Sequence, residues 1–320
     1  MKLVVIVGPT ASGKTSLACM LAESLEAEIV SADSQQCYRG LDAGTAKPTA
    51  EERARAPHHL LDVADPEEQL DAAAFVKLAD AAIAEIAARG KRVIVAGGTG
   101  LWIRVLLRGL LDAPGASPEL RAEMRKHSLS DLHAKLQMVD QVSAQRILPG
   151  DRVRIERALE VHTLSGRPLS ELQREHGFAE ARYDALTFFL DPPRPLLHER
   201  IAARTRALFS GGALQRETEW LQQRHAPPML RPGGLRPSQA KPAPPKAFKI
   251  IGYGEMAEAL RTGDFASAEE RVNARTRQYA KRQRTWFARH AGAPLPWPTD
   301  AKGLCEAAAR WYEGAPKEGE

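Results

Sequence analysis

The sequence predicts an α/β fold: a parallel sheet built around a phosphate-binding loop, with a helical insertion domain. Three observations carry this reading. LVVIV (3–7) is a short, β-branched apolar run that stops at Gly8. GPTASGKT (8–15) follows it and matches G-x4-G-K-[ST], placed after a strand and before a helical pattern. Strand-like and helix-like segments then alternate, as they do in parallel sheets whose ligands lie at the carboxyl ends of the strands.

Each element follows from local pattern. LVVIV reads as a buried strand. After Lys14, Leu17, Met20, Leu21 and Leu25 share one side of a helix. AEIVSADS gives a second strand ending at Asp33. DAAAFVKLADAAIAEIAARG places Phe75, Leu78, Ala79, Ala82, Ile83 and Ile86 at helical spacing, and Gly90 stops it. RVIVAGGTG is a third strand running into a glycine turn, and LTFFLDPP (186–193) is a later one. Between them, residues 117–181 are polar and helix-like, which marks an insertion into the core. The expected organisation is therefore a first part of the core at 1–116, the insertion at 117–181, and a second part at 182–290. A C-terminal tail follows at 291–320, in which 304–312 looks amphipathic. APPMLRPGGLRPSQAKPAPPKA (226–247) holds seven prolines and two glycines and reads as a mobile loop.

Composition narrows the function classes. With 320 residues, 43% of them apolar and 27% charged, the chain is ordinary for a soluble globular protein. No apolar run approaches the roughly 18 residues of a membrane span. Cys19, Cys37 and Cys305 are scattered, without CxxC spacing, so a reduced cytoplasmic setting without structural zinc is expected. The net charge of +5 is modest, but RVNARTRQYAKRQRTWFARH (271–290) carries seven Lys or Arg residues and no acid. Interleaved with Tyr279, Trp286 and Phe287, it reads as a candidate RNA surface, or as a solvated helix face with Trp286 in the core. His58 and His59 lack further ligands at metal spacing.

The loop implies a phosphate. Its glycines let backbone N–H groups converge on phosphate oxygens at a helix N-terminus, Lys14 adds a point charge, and Thr15 offers a hydroxyl to Mg²⁺. A nucleotide hydrolase also needs an acid at the end of a core strand. VIVAG runs into Gly97-Gly98-Thr99-Gly100, and the acid that the pattern places at a strand terminus is Asp33. Asp33 suits a base facing a group that attacks the bound phosphate ester; it also suits a plain helix cap or turn.

Further motifs occur in order: SADSQQCYRGLDAGTAKPT (31–49), APHHLLDVADP (56–66), AGGTGLW (96–102), RALE (157–160), SGRPLS (165–170), IIGYGE (250–255) and YAKRQRTWF (279–287). Together, across roughly residues 3 to 290, the chain resembles the bacterial tRNA dimethylallyltransferases, the tRNA isopentenyltransferase family. The resemblance implies that the loop (Gly8, Pro9, Thr10, Ala11, Ser12, Gly13, Lys14 and Thr15) holds the pyrophosphate of dimethylallyl diphosphate. The prenyl group would move to the exocyclic amine of the adenine 3′ of the anticodon in tRNA. It also implies catalytic roles for Asp33 as general base, Thr99 at the reacting centre and Arg204 on the pyrophosphate, with Mg²⁺ on Thr15. From sequence alone, Thr99 reads as a plain turn residue, and Arg204 also suits an exposed helix ion pair.

By the same resemblance, tRNA contacts fall on Asp33, Ser34, Gln35, Gln36 and Thr99. They extend to Arg121, to Val153, Arg154, Ile155, Glu156 and Arg157, and to Lys249, Ile250, Ile251, Gly252, Tyr253 and Gly254. Lys281, Arg282 and Arg284 on the basic helix are expected to meet phosphates. The chain departs from the family pattern at Trp102 for tyrosine, Cys37 for an aliphatic residue and Gly254 for a basic one. It also has an extra residue in SGGALQRETEW and a longer Pro-rich segment. A monomer is expected. The competing readings are a small-molecule kinase using ATP, a prenyltransferase acting on free adenine nucleotides, and a catalytically silent RNA-binding protein.

Overall fold

The computed structural model describes residues 1–225 and 246–314. The elements are β1 (Lys2–Val7), α1 (Lys14–Leu25), β2 (Ala27–Ser31), α2 (Ala50–Arg55), β3 (His58–His59), α3 (Ala72–Ala88), β4 (Arg92–Gly97) and α4 (Gly100–Arg108). There follow α5 (Pro118–Met124), α6 (Leu129–Val139), α7 (Gln141–Arg146), α8 (Arg152–Ser165) and α9 (Leu169–His176). The chain then forms β5 (Asp184–Phe189), α10 (Arg194–Ser210), α11 (Ala213–His225), a 3₁₀ turn at Lys246–Lys249, α12 (Tyr253–Thr262), α13 (Phe265–His290) and α14 (Ala301–Glu313). The expected Pro-rich loop lies, for 226–245, outside the described residues.

The sheet runs β3-β2-β4-β1-β5, and every pairing is parallel. Register is fixed by apolar rows, with Val4 beside Ile94 and Val7 beside Phe189. Leu3 to Ile6 are fully buried, as a strand covered on both faces must be. The predicted α/β class with a parallel sheet holds. The second strand stops at Ser31, two residues short of the expected Asp33. Past Ala32 the chain turns, and the Asp33 carboxylate takes the Gln35 amide at 2.9 Å, an Asx turn that ends the extended run. A short edge strand at His58–His59 adds to what the pattern suggested.

The chain divides into two compact units, Met1–Leu107 with Tyr183–Glu320, and Arg108–Arg182. The expected insertion boundary at 117 falls inside the second unit, which begins at Arg108. That unit is helical, closed around Met124, Leu132, Leu136, Ala144, Ile155, Ala158 and Leu159. Its first four helices start on side-chain caps: Ser117, Ser128, Asp140 and Asp151 each accept an amide of the first turn.

In the first unit α14 lays Ala308 and Trp311 on the layer of α1 around Leu17 and Leu21. Its Tyr312 hydroxyl donates to Val93 O and accepts from Val4 N, tying two strands together. The tail, from which sequence alone yields little, is part of the core. Among the described residues no helix is long and apolar enough to cross a membrane.

Candidate active site

The carboxyl ends of β1, β2 and β4 open into a cleft of about 400 Å³ lined by Thr10 to Thr15, Asp33, Gln35, Gln36, Arg204, Ile251, Tyr279 and Gln283. The phosphate loop makes the turn from β1 into α1. Gly8 sits at φ 153, and a Cβ there would lie 2.4 Å from Leu190 O; Gly13 caps α1 at φ 94. Neither position tolerates a side chain at low cost. Lys14 Nζ donates to Pro9 O at 2.6 Å, across the loop's own span. Burial pulls the Lys14 ammonium down to about 8, with the Asp33 charge raising it and Arg204 lowering it further.

Arg204 comes from α10, with Nη1 on Thr10 Oγ1 at 3.1 Å and Nη2 on Gly44 O at 3.3 Å. These bonds place the guanidinium against the phosphate loop rather than in the surface ion pair that is the plainer sequence reading. Burial lowers its guanidinium and Asp33 opposes that shift. Thr99 Oγ1 accepts the Ser34 amide at 2.9 Å and donates to Ser34 Oγ at 3.1 Å, joining the ends of β2 and β4. Gln36 is tied by Ser31 Oγ at 3.1 Å and by its own bond to Ala46 O at 2.8 Å.

Opposite the loop, Glu217 accepts the amides of Asp42, Ala43 and Gly44, and the Tyr253 hydroxyl at 2.7 Å. Lys47 is buried against Tyr38 O, Asp42 and Asp62. These groups hold 42–47 as a rigid wall. Neither Glu217 nor Lys47 stands out in the sequence, since their partners are remote or irregular.

Several expected tRNA contacts have other occupations. Ile155 is fully buried in the helical unit, and Ile250 and Tyr253 are buried in the first unit. Their side chains are core, because the apolar helix faces around them need cover. Arg121 directs Nε and Nη2 to Glu160, each at 2.9 Å, and Arg157 adds Nη1 at 2.8 Å. Glu156 pairs with Arg152 at 3.0 Å, while Val153 is 77% exposed and Arg154 stands largely in solvent. Lys249 is exposed and Ile251 lines the cleft; Gly252 and Gly254 sit at the start of α12. On α13, Lys281 and Arg282 are exposed, whereas Arg284 is paired with Asp191 at 2.6 and 2.9 Å. Asp191 is also a correction: it is a second acid just past a core strand, β5, its charge already met by Arg284.

The departures acquire reasons as well. Trp102 stacks on Phe75 at 4.3 Å, and Cys37 is buried, its thiol pushed up to about 12 by desolvation and by Asp33. His59 bonds Glu28 at 2.6 Å and His58 bonds Ala56 O at 2.9 Å, so neither is spare. No group of three or more His, Cys, Asp or Glu suited to a metal occurs among the described residues. The loop offers hard oxygens instead: Thr15, and Ser12 Oγ, which is buried and finds no hydrogen-bond partner among the described residues.

A glycine loop between β1 and α1 with a carboxylate in the same cleft, on a parallel α/β sheet, is the arrangement of a P-loop protein. A family model described as IPP transferase matches residues 36–290. The tRNA dimethylallyltransferase of Anaeromyxobacter dehalogenans (strain 2CP-C) is 52% identical over 297 residues, 91% of this chain and 93% of its own. That of Myxococcus xanthus (strain DK1622) is 45% identical over 91% of each chain. The crystal structure of the tRNA delta(2)-isopentenylpyrophosphate transferase from Staphylococcus epidermidis superposes with a TM-score of 0.65 at 32% identity, covering 98% of this chain and 99% of that one. A eukaryotic dimethylallyltransferase captured acting on tRNA gives a TM-score of 0.82 at 26% identity, with 100% and 81% covered. The chain belongs to the IPP transferase family.

Proposed function

We propose that this protein transfers the dimethylallyl group of dimethylallyl diphosphate to N6 of the adenine 3′ of the anticodon in tRNA, releasing pyrophosphate. The observation that carries the reading is one cleft lined by both the phosphate loop and Asp33. The names of the relatives support the substrate class.

The allylic C–O bond breaks, the N6–C bond forms, and the proton leaving N6 passes to the Asp33 carboxylate. Charge that builds on the leaving pyrophosphate meets the loop amides, Lys14 and Arg204, donors set in place beforehand. The oxygen donors present fit Mg²⁺, an ion that keeps several waters and binds through few protein groups plus substrate phosphates. Thr15 would hold it, and when bound it would neutralise part of the phosphate charge. Thr99 holds Ser34 and so the stretch 33–36 that would face the adenine. That base must leave its stack, at an expense of a few kcal/mol, to reach Asp33. Arg282, Lys281 and Lys249 of the first unit would meet the anticodon stem-loop; within the helical unit, Val153 and Arg154 are the exposed members of the expected stretch. A monomer acting in the cytoplasm, where tRNA is found, completes the proposal.

Asp33→Asn tests it. The amide keeps shape and one acceptor but takes no proton, so transfer should fall at least about 10²-fold, with diphosphate affinity nearly unchanged. Wild-type turnover in Asp33→Asn would remove Asp33 from the mechanism.

A further inference from the structure

The basic helix α13 carries one buried polar side chain aimed inward, Gln283, only 6% exposed. Its Oε1 accepts the Thr10 amide of the phosphate loop at 2.8 Å, and its Nε2 donates to Gly98 O at 2.9 Å. One amide group thus spans the loop after β1 and the glycine turn after β4 that carries Thr99. The turn is shaped for it: a Cβ on Gly98 would lie 2.4 Å from Gln283 Nε2. One turn further along the helix Trp286 closes on the same segment, where a Cβ on Gly100 would fall 2.1 Å from its ring. Thr10 is held from both ends, since Arg204 also donates to its hydroxyl. The Thr10 N–H is therefore spent inside the protein, which sets the angle at which the remaining loop amides and Lys14 face the cleft.

We infer that Gln283 is a positioning residue that fixes the phosphate loop, on the leaving-group side, relative to the Gly98–Thr99 turn, on the acceptor side. This rests on the functional reading above. In-line displacement needs both partners within a few tenths of an ångström of the productive geometry, and a 1 Å misplacement can lower the rate about 10²-fold. A side chain that bonds both loops directly is the shortest ruler for that distance. Glutamine suits the task because it offers an acceptor and a donor from one planar group without adding charge beside a diphosphate.

Two variants and two measurements test the inference. Gln283→Met keeps length and loses both bonds; Gln283→Glu still accepts the Thr10 amide but cannot donate to Gly98 O. Steady-state kinetics with labelled dimethylallyl diphosphate and tRNA should show kcat lowered about 10- to 10²-fold in both; both KM values should stay within about threefold of wild type in Gln283→Met, whereas the charge added in Gln283→Glu also raises the KM for the diphosphate. Hydrogen exchange, which needs no substrate, should show the Thr10 amide exchanging faster in Gln283→Met and remaining slow in Gln283→Glu, with β1 and β4 protected as before. Wild-type kcat in Gln283→Met, or a defect confined to thermal stability or to KM, would overturn the positioning role. Unchanged Thr10 exchange in Gln283→Met would overturn it whatever the enzyme's substrate proves to be. Wild-type protein that leaves tRNA unlabelled while Thr10 exchange responds as described would instead contradict the functional reading and leave the ruler standing.

Discussion

Glu160 and Arg121 form a two-pronged ion pair in the helical unit, with Nε and Nη2 each 2.9 Å from the carboxylate oxygens. Glu160 is fully buried and also accepts Arg157 and the Ser117 amide, so all its lone-pair directions are used. Burial alone would raise this carboxyl; the bonds from Arg121 and Arg157 outweigh it and hold it below its ordinary value. Removing the carboxylate strands two guanidinium groups, and Glu160→Ala should destabilise the unit by about 3–5 kcal/mol in urea unfolding. The carboxylate's contribution is present above the unfolded value near 4.5 and is lost as pH falls through the depressed folded value. A Glu160→Ala protein as stable as wild type would mean the pair is incidental.

Lys14 makes the phosphate loop sensitive to pH. In the free protein its ammonium loses its proton near pH 8, so affinity for a diphosphate should weaken as pH rises through that value. A bound anion favours the charged form and shifts the inflection upward. Stability moves the other way: between about 8 and the ordinary 10.5 the folded chain holds fewer protons than the unfolded one, so this group's effect on stability becomes more favourable as pH rises. Titration calorimetry from pH 6.5 to 9.5 should show the inflection in wild type and none in Lys14→Arg. The same inflection in both would assign it elsewhere.

Salt dependence should separate the basic residues of α13. Lys281 and Arg282 are free to neutralise phosphates, and each lost contact lowers the slope of log affinity against log salt by about 0.7–0.9. The double alanine variant should therefore bind tRNA with a slope shallower by about 1.5. Arg284→Ala, which strands Asp191 instead, should act on stability and leave the slope nearly as it was. A slope unmoved by the double variant would place the RNA surface off this helix.

What the sequence made legible is what local chemistry determines. The phosphate loop needs only its own eight residues, and the parallel sheet announces itself in LVVIV, RVIVAG and LTFFL. Arg204 was visible through the resemblance, although its bonds to Thr10 and Gly44 O close over 194 and 160 residues. Gln283 does not stand out: its bond to Thr10 spans 273 residues, and a glutamine among arginines reads as one more polar position. Glu217 and the α14 cover are hidden for the same reason, since each is explained by a partner far along the chain, and Lys47 because its nearby partners Tyr38, Asp42 and Asp62 follow no regular spacing. Ile155, Ile250 and Tyr253 sit inside expected recognition stretches, and the segment pattern does not say which side chains of a stretch turn inward. Arg284 likewise looks identical to Arg282 until Asp191 is found beside it.

On the proposed function the loop holds a leaving pyrophosphate, not a nucleotide that donates phosphate. The direct measurement is the fate of label when the protein is incubated with Mg²⁺, dimethylallyl diphosphate labelled in the prenyl group, and tRNA, with and without ATP. Expected are label in tRNA as N6-prenylated adenosine, one pyrophosphate released per transfer, and no requirement for ATP. Unlabelled tRNA together with consumption of ATP would contradict it.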